Sequence, residues 1–190
     1  MLRLLSVCLL STAIVAGTTL AGEPGKIQPF AKPERMEMEG FQDFFAKVAP
    51  NVFVAGQPTA EALKRMQERG VVRVINLRTT FEMDNRNVVP YDEKAEVEAL
   101  GMEYVHIPLG GPDTPYSPDG LDAFRTALEE ADGNVLLHCT VAWRASHMWA
   151  AYLVKHHDVP VSEAVEIGKQ MNMGGYPFAE FLGKDVSLEE

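Results

Sequence analysis

The chain has 190 residues, of which 46% are hydrophobic and 23% are charged, a composition typical of one soluble globular domain. Its formal net charge is -10 at pH 7. This charge argues against nucleic-acid binding, because proteins that bind nucleic acids need a basic face to neutralise phosphates.

The first 21 residues have the layout of a secretory signal peptide. Arg3 is an early positive charge, an apolar stretch follows from Leu4 to Ala16, and Thr19-Leu20-Ala21 forms the predicted cleavage site. An uncleaved membrane anchor is the alternative, but spanning a bilayer takes roughly 20 apolar residues and this run is shorter. We therefore expect a periplasmic or secreted protein that has no contact with the membrane after cleavage.

Residues 22–40 are rich in Pro, Gly, Lys and Glu and show no apolar period. We predict that they form an extended leader in front of a domain that spans residues 41–190. Apolar residues recur at helical spacing between positions 41 and 48, which predicts a short helix that Pro50 would end.

Four short runs of apolar and β-branched residues predict strands. These runs are VFVAG at 52–56, VVRVINL at 71–77, MEYVHIPL at 102–109 and NVLLHC at 134–139. Helices are predicted after the capping residues Thr59 and Ser117, and across the segments 91–101, 144–157 and 161–171.

Strands that alternate with helices indicate an α/β fold, in which helices flank a mostly parallel central sheet of four to five strands. In such sheets, binding sites form beyond the carboxyl ends of the strands. Cys139 and the Gly/Pro-rich loop at 110–120 both follow predicted strands. The functional site is therefore expected where these two segments meet.

Cys139 is the only cysteine left once a signal peptide that carries Cys8 has been removed, so it cannot form an internal disulfide. A lone cysteine is often a buried, inert thiol. Here, however, it lies between a buried strand and a helix, where exposed backbone N–H groups and the helix dipole form an anion site and favour the thiolate. Arg144, on the first helical turn, can hold two oxygens of a bound oxyanion.

The residues between Cys139 and Arg144 are predicted to bind the substrate together with Arg144. They are Thr140, Val141, Ala142 and Trp143. None of the four is glycine, so curling the loop around an anion is expected to cost roughly 1 to 3 kcal/mol per strained residue. Trp143 can wall the pocket or pack against the fold, and we favour packing.

A phosphoryl transfer also needs an acid for the leaving oxygen, and Asp113 is the candidate. It would lie beside the Cys139 loop if the third and fourth predicted strands are neighbours. The alternative is an ordinary turn aspartate, since Asp is common in turns for its own backbone hydrogen bonds.

The segment HCTVAWRAS at 138–146 resembles the signature loop of cysteine-dependent dual-specificity and protein tyrosine phosphatases, and residues 52–78 resemble the start of such domains. The motifs GQP, INLR followed by Glu82, DEKAE and ALGMEYVHIP are similar to those of a bacterial phosphatase-like family found fused to β-lactamase-like hydrolases. The resemblance covers roughly residues 41–171. It implies a dual-specificity-phosphatase-like fold, with Cys139 as nucleophile, Arg144 as phosphate clamp and Asp113 as general acid.

Three functions remain open at this point, and we favour the first. It is a phosphatase that acts on a phosphorylated protein or a small-molecule anion through a phosphocysteine intermediate. The second is a rhodanese-like sulfurtransferase that carries a persulfide on Cys139, because a loop with four residues between a cysteine and a basic residue also resembles the rhodanese loop. The third is an inactive anion-binding or protein-binding module of the same fold.

No cofactor is expected, and no metal, because the five histidines lack the spacing of a ligand set. Arg78 and Glu82 can pair near the site or brace the sheet, and we interpret them as bracing residues.

Overall fold

The computed structural model describes residues 27–184. The predicted signal peptide and its cleavage site lie outside these residues. Of the helices within 27–184, none combines the length and the apolar composition that crossing a membrane requires.

A six-stranded sheet forms the centre of the domain, with the strands in the order β1-β2-β3-β6-β4-β5. The strands are β1 (Glu34–Arg35), β2 (Phe45–Ala49), β3 (Val52–Ala55), β4 (Val71–Asn76), β5 (Glu103–His106) and β6 (Asn134–His138). Strands β3, β6, β4 and β5 run parallel, whereas β1 and β2 are antiparallel additions at one edge. The predicted α/β class with a mostly parallel sheet is confirmed, and β3 to β6 are the four predicted strands. The sheet has six strands and not the expected four to five, because β1 and β2 extend it at one edge.

Helices cover both faces of the sheet. They are α1 (Ala60–Glu68), α2 (Thr80–Asp84), α3 (Glu93–Ala99), α4 (Pro118–Glu129), α5 (Trp143–His156), α6 (Val161–Lys169) and α7 (Phe178–Leu182). The predicted caps are confirmed, since Thr59 accepts from the Ala62 amide and Ser117 accepts from the Gly120 amide. The short helices α2 and α7 were not predicted.

The helix predicted between positions 41 and 48 is wrong, because this segment contributes strand β2. Phe45 packs on one face of the sheet, where its ring lies 5.7 Å from that of Phe53. Phe44 and Val48 pack into the core on the other face. A strand buried on both faces shows no polar alternation, so its apolar residues can imitate a helical period.

The described part of the predicted leader lies against the sheet. β1 pairs with β2, and the Phe30 amide donates to the Val48 carbonyl at 2.8 Å. Ile27 is buried in the core.

The two faces of the sheet carry different sets of helices. α5 is buried along most of its length and packs against α4, α6 and α7 on one face. α1 and α3 pack against each other on the other face. The carboxyl ends of the four parallel strands meet at one edge of the sheet, and the segments that follow them build the site described next.

Candidate active site

The cysteine loop lies between the end of β6 and the start of α5, and it is held close to the end of β3. The Gln57 amide donates to the Thr140 carbonyl at 2.8 Å. A Cβ atom at Gly56 would lie 1.8 Å from the Gln42 carbonyl oxygen and 2.9 Å from that of Thr140. The glycine of the GQP motif is therefore required by the close approach of the backbone to the loop that begins at Cys139.

The start of α5 leaves its first amide groups available to an anion. Ala142 is the N-cap residue and no side chain caps the helix. Ala142 adopts φ 63°, in the left-handed region, which costs a residue other than glycine about 1 to 2 kcal/mol. The strain expected in the loop falls on Ala142, the smallest of its four residues, and not on Val141 or Trp143.

A cleft of about 390 Å³ opens at this edge of the sheet. The residues that line it are Glu82, Gly110, Tyr116, Cys139, Thr140, Val141, Trp143 and Arg144. Cys139 is only 1% exposed, so its thiol lies at the floor of the cleft. Of the predicted substrate-binding residues that the structure describes, only Ala142 does not line the cleft.

Arg144 is buried at the side of the cleft, where all of its terminal nitrogens have partners. Nη1 donates to Glu82 Oε2 at 2.8 Å, to the Leu109 carbonyl at 3.0 Å and to the Leu77 carbonyl at 3.1 Å. Nη2 donates to Glu82 Oε1 at 2.6 Å and to Thr140 Oγ1 at 3.1 Å. The guanidinium is therefore held in one orientation beside the cysteine loop.

Glu82 and Tyr116 line the cleft, and our interpretation of the sequence placed neither of them in the site. Burial alone would raise the pKa of Glu82, but the hydrogen bonds from Arg144 and from the Thr79 amide lower it to about 2, so Glu82 is ionised at neutral pH. Arg78 Nε also lies 3.5 Å from Glu82 Oε1. The pair therefore does not only brace the sheet, because Glu82 itself lines the cleft.

A signal for this arrangement was present in the sequence. Thr79 and Glu82 have the T-x-x-E spacing of a capping box, in which each side chain bonds the backbone amide of the other. Both hydrogen bonds are present, at 2.9 Å and 3.2 Å. The capping box starts α2 directly after β4 and thereby directs the Glu82 carboxylate toward the cleft.

The strand order decides where Asp113 lies. β4 separates β5 from β6, so the condition under which we expected Asp113 beside the Cys139 loop is not met. Asp113 is exposed in a turn where Gly111 and Thr114 pair, and it is not among the described residues that line the cleft. Its role as general acid stays a prediction, although Gly110 and Tyr116 of the same loop do reach the cleft.

Tyr116 forms an aromatic wall of the cleft. The rings of Trp143, Tyr176 and Phe181 lie edge-on to it, with centroids at 6.4, 5.6 and 5.5 Å. Trp143 therefore both packs and lines the cleft. Burial raises the pKa of Tyr116, so its hydroxyl stays protonated at neutral pH.

A buried polar cluster lies behind the cysteine loop, on the face of the sheet that α1 and α3 cover. Glu93 accepts from His138 Nε2 at 3.0 Å and from Asn76 Nδ2 at 2.8 Å. Burial alone would raise the pKa of Glu93, but the charge of His138 and its hydrogen bond lower it. Glu93 is therefore a buried carboxylate next to the strand end that carries Cys139.

Gln57 links this cluster to the cleft. Its Nε2 donates to Glu93, and its Oε1 accepts from Arg78 Nη1 at 2.7 Å. Arg78 in turn lies beside Glu82. Residues from the motifs GQP, INLR, DEKAE and HC thus converge in one connected set.

No group of three or more His, Cys, Asp or Glu side chains that could hold a metal ion occurs within 27–184. The chemistry that the cleft offers consists of a thiol, a guanidinium, uncapped helix amides and a carboxylate.

Comparison with known sequences identifies one family. Residues 43–154 match the family described as the phosphatase-like domain of β-lactamase hydrolase-like proteins. A β-lactamase hydrolase-like protein of Xylella fastidiosa is 30% identical over 99 residues, which is 51% of this chain and 22% of the relative. That of Agrobacterium fabrum is 26% identical over 123 residues, 65% of this chain and 28% of the relative. The matched region spans about a quarter of the length of these relatives.

Solved structures of cysteine-dependent phosphatases share the fold. A DUF442 phosphatase-like protein of Shewanella putrefaciens is 27% identical, with a TM-score of 0.58 over 74% of this chain and 87% of the other. TpbA of P. aeruginosa is 17% identical, with a TM-score of 0.55 over 72% and 76%. The core catalytic domain of the S. cerevisiae PP-IP phosphatase SIW14 is 15% identical, with a TM-score of 0.54 over 77% and 83%.

Proposed function

Because this chain belongs to the family of phosphatase-like domains of β-lactamase hydrolase-like proteins, we propose that it is a cysteine-dependent phosphatase that hydrolyses a phosphomonoester through a phosphocysteine intermediate. The observation that carries this proposal is the position of the Cys139 thiol on the floor of a cleft that Arg144 also lines. We further propose that it acts in the periplasm or outside the cell.

The reaction has two steps. In the first, the Cys139 thiolate attacks phosphorus, an S–P bond forms, and the bond from phosphorus to the leaving oxygen breaks. Asp113 gives its proton to that oxygen. In the second step, Asp113 takes a proton from water as the water attacks phosphorus, and inorganic phosphate and the thiolate are released.

The cleft supports the charge that develops on the phosphoryl oxygens. The uncapped amides at the start of α5 supply the hydrogen-bond donors. Arg144, held beside the cysteine loop by Glu82, adds positive charge. Glu82 keeps the guanidinium of Arg144 oriented. No metal is required in this scheme, because the arginine and the amides provide the positive field.

The substrate is a phosphorylated protein or a small-molecule anion. TpbA has been solved in complex with pTyr, and SIW14 in complex with citrate. A cleft of about 390 Å³ with Tyr116 and Trp143 on its walls has room for the phosphoryl group and part of the leaving group.

The test compares the wild-type protein with Cys139→Ser on p-nitrophenyl phosphate. We expect the substitution to abolish turnover, and rapid acid quenching of the wild type to trap one phosphoryl group on the peptide that contains Cys139. Ser162→Ala, an exposed change on α6, is the matched control and should keep the wild-type rate. Equal rates for wild type and Cys139→Ser would rule out the proposal.

One observation favours a second candidate, a sulfurtransferase. Glu82 is an ionised carboxylate that lines the cleft and holds both terminal nitrogens of Arg144, so the positive charge offered to a phosphate dianion is reduced. In this reaction the thiolate of Cys139 takes the outer sulfur of thiosulfate. Sulfite leaves with the electron pair of the broken S–S bond, and cyanide then accepts the sulfur as thiocyanate.

Mass spectrometry distinguishes the two candidates. After treatment with thiosulfate, the sulfurtransferase predicts one added sulfur atom on Cys139 and thiocyanate formation when cyanide is supplied. An unmodified Cys139 in a protein that hydrolyses p-nitrophenyl phosphate would eliminate this second candidate.

A further inference from the structure

We propose that Asn172 is a positioning residue for the cysteine loop and that it replaces the conformational role a loop glycine would have. Asn172 follows α6, and its Nδ2 donates to the Val141 carbonyl at 2.8 Å. This inference rests on the proposed role of the cysteine loop as the reactive site, and it holds for either chemistry of Cys139.

Asn172 itself is exposed, and its buried neighbours fix the position of the backbone that carries it. It belongs to a strap formed by residues 171–176. Met171 and Met173 are buried on either side of it, and a Cβ atom at Gly168 would lie 2.2 Å from Met173 Sδ. The Gly174 amide donates to His147 Nε2 at 3.2 Å. The strap is therefore attached to α6 through the methionines and to α5 through His147.

The hydrogen bond from Asn172 to Val141 affects Ala142, the loop residue in the left-handed conformation. The Val141 carbonyl belongs to the peptide group that joins Val141 to Ala142. Rotation of that peptide plane changes ψ of Val141 and φ of Ala142 together. Because Asn172 holds the carbonyl oxygen, it also holds Ala142 at φ 63°. Without this hydrogen bond, the peptide can rotate and relieve the left-handed conformation, and the first turn of α5 would then shift relative to Cys139.

Asparagine suits this position for a second reason. Asn172 itself adopts φ 84°, and asparagine tolerates left-handed backbone better than most residues. Glycine tolerates the same conformation but has no side chain. Asn172→Gly therefore removes the hydrogen bond without straining the strap, whereas Asn172→Asp keeps the shape and replaces the donor by an acceptor.

The experiment is a double-mutant cycle with Asn172→Gly and Ala142→Gly, because glycine at position 142 adopts positive φ without support. We expect Asn172→Gly to lower kcat on p-nitrophenyl phosphate about tenfold with little change in KM, since small displacements of reacting groups reduce rates strongly. In the Ala142→Gly background, the same substitution should cost no more than about twofold. Asn172→Asp should behave like Asn172→Gly, and the exposed control Gln170→Ala should match the wild type.

A second readout does not depend on turnover. The rate at which iodoacetamide alkylates Cys139 is measured against pH, with mass spectrometry of the Cys139 peptide. Asn172→Gly should move this profile, and it should move less in the Ala142→Gly background. If the protein does not hydrolyse p-nitrophenyl phosphate but the profiles show this dependence, the inference stands and the phosphatase proposal fails. No effect of Asn172→Gly on the alkylation profile, or equal effects in both backgrounds, would overturn the inference.

Discussion

Glu82 and Arg144 form a bidentate pair, in which one carboxylate oxygen lies 2.6 Å from Nη2 and the other lies 2.8 Å from Nη1. Two parallel hydrogen bonds fix a guanidinium in both position and plane. Two residues that are 62 positions apart in the chain are thereby joined at the side of the cleft. The pair therefore fixes the orientation of the Arg144 guanidinium relative to a substrate bound in the cleft.

Replacing Glu82 by glutamine should lower kcat about a hundredfold, because an amide offers one acceptor oxygen and turns its NH₂ group toward the guanidinium. Steady-state kinetics on p-nitrophenyl phosphate measures this loss. Glu163→Gln, an exposed change on α6, serves as the control and should keep the wild-type rate. A wild-type rate for Glu82→Gln would show that the pair does not orient Arg144 for the reaction.

Glu82→Gln should also change how the stability of the protein depends on pH. The folded state holds the pKa of Glu82 at about 2, below its ordinary value of 4.5. Because the pKa is lowered in the folded state, the ionised Glu82 carboxylate stabilises the fold. This stabilisation is complete above pH 4.5 and is lost as the pH falls toward 2. Urea unfolding between pH 5 and pH 3 should therefore show a weaker pH dependence for Glu82→Gln than for wild type. Parallel curves would contradict the ionised pair.

The role of Asp113 can be tested with leaving groups. If Asp113 protonates the leaving oxygen, Asp113→Asn should lower kcat strongly for phenyl phosphate, whose leaving group needs a proton. It should affect p-nitrophenyl phosphate much less, because p-nitrophenolate leaves without one. Equal losses of kcat on both substrates would show that another residue is the general acid. Asp119→Asn is the nearby control and should not distinguish the two substrates.

Glu93 is expected to be a major contributor to stability. It is buried, and its carboxylate holds His138, Asn76 and Gln57 together. Glu93→Ala should lower the free energy of unfolding by about 3 to 5 kcal/mol, because it leaves buried partners without their acceptor. Glu98→Ala, an exposed change on the same helix, should stay within about 0.5 kcal/mol of wild type. Chemical denaturation measures the free energy of unfolding of both variants. If Glu93→Ala loses as little stability as Glu98→Ala, the Glu93 carboxylate does not stabilise the buried cluster.

His147 should make stability depend on pH near neutrality. Burial lowers its pKa from 6.5 to about 4, so it stays neutral in the fold at a pH where the unfolded chain binds a proton. The wild type should therefore lose stability as the pH falls from 6.5 toward 4, by at most about 1.4 kcal/mol per pH unit. His147→Gln keeps an acceptor for the Gly174 amide and does not titrate. Its unfolding curves should lack this part of the pH dependence, and an unchanged slope would contradict a neutral buried imidazole.

The parts of the fold that local patterns determine could be predicted from the sequence. The strands β3 to β6 are apolar runs bounded by turn residues, and the caps Thr59 and Ser117 follow simple spacing rules. Strand β2 was missed because it is buried on both faces. Whether a segment is buried on one face or on both depends on the strands and helices that lie next to it. The sequence of the segment alone does not indicate this.

In the site, too, some contacts follow from local sequence patterns and others depend on the whole fold. Cys139 and Arg144 belong to one loop, so their meeting could be predicted from the segment alone. The contact of Glu82 with Arg144 depends on β4 lying between β5 and β6, and the contact of Asn172 with Val141 joins two segments that share no local pattern. Strand order and the packing of the strap are properties of the whole chain. The Thr79–Glu82 capping box was visible in the sequence, but its position beside Arg144 was not.

The depth of Cys139 also decides which oxidants can reach its sulfur. A disulfide between two molecules needs Cα atoms roughly 4.4 to 6.8 Å apart. A thiol that is 1% exposed at the bottom of a cleft cannot come that close to a cysteine of a second chain. Hydrogen peroxide is small enough to enter the cleft and convert a thiolate to a sulfenic acid. The fold therefore protects this sulfur from crosslinking to a second chain while leaving it open to small peroxides.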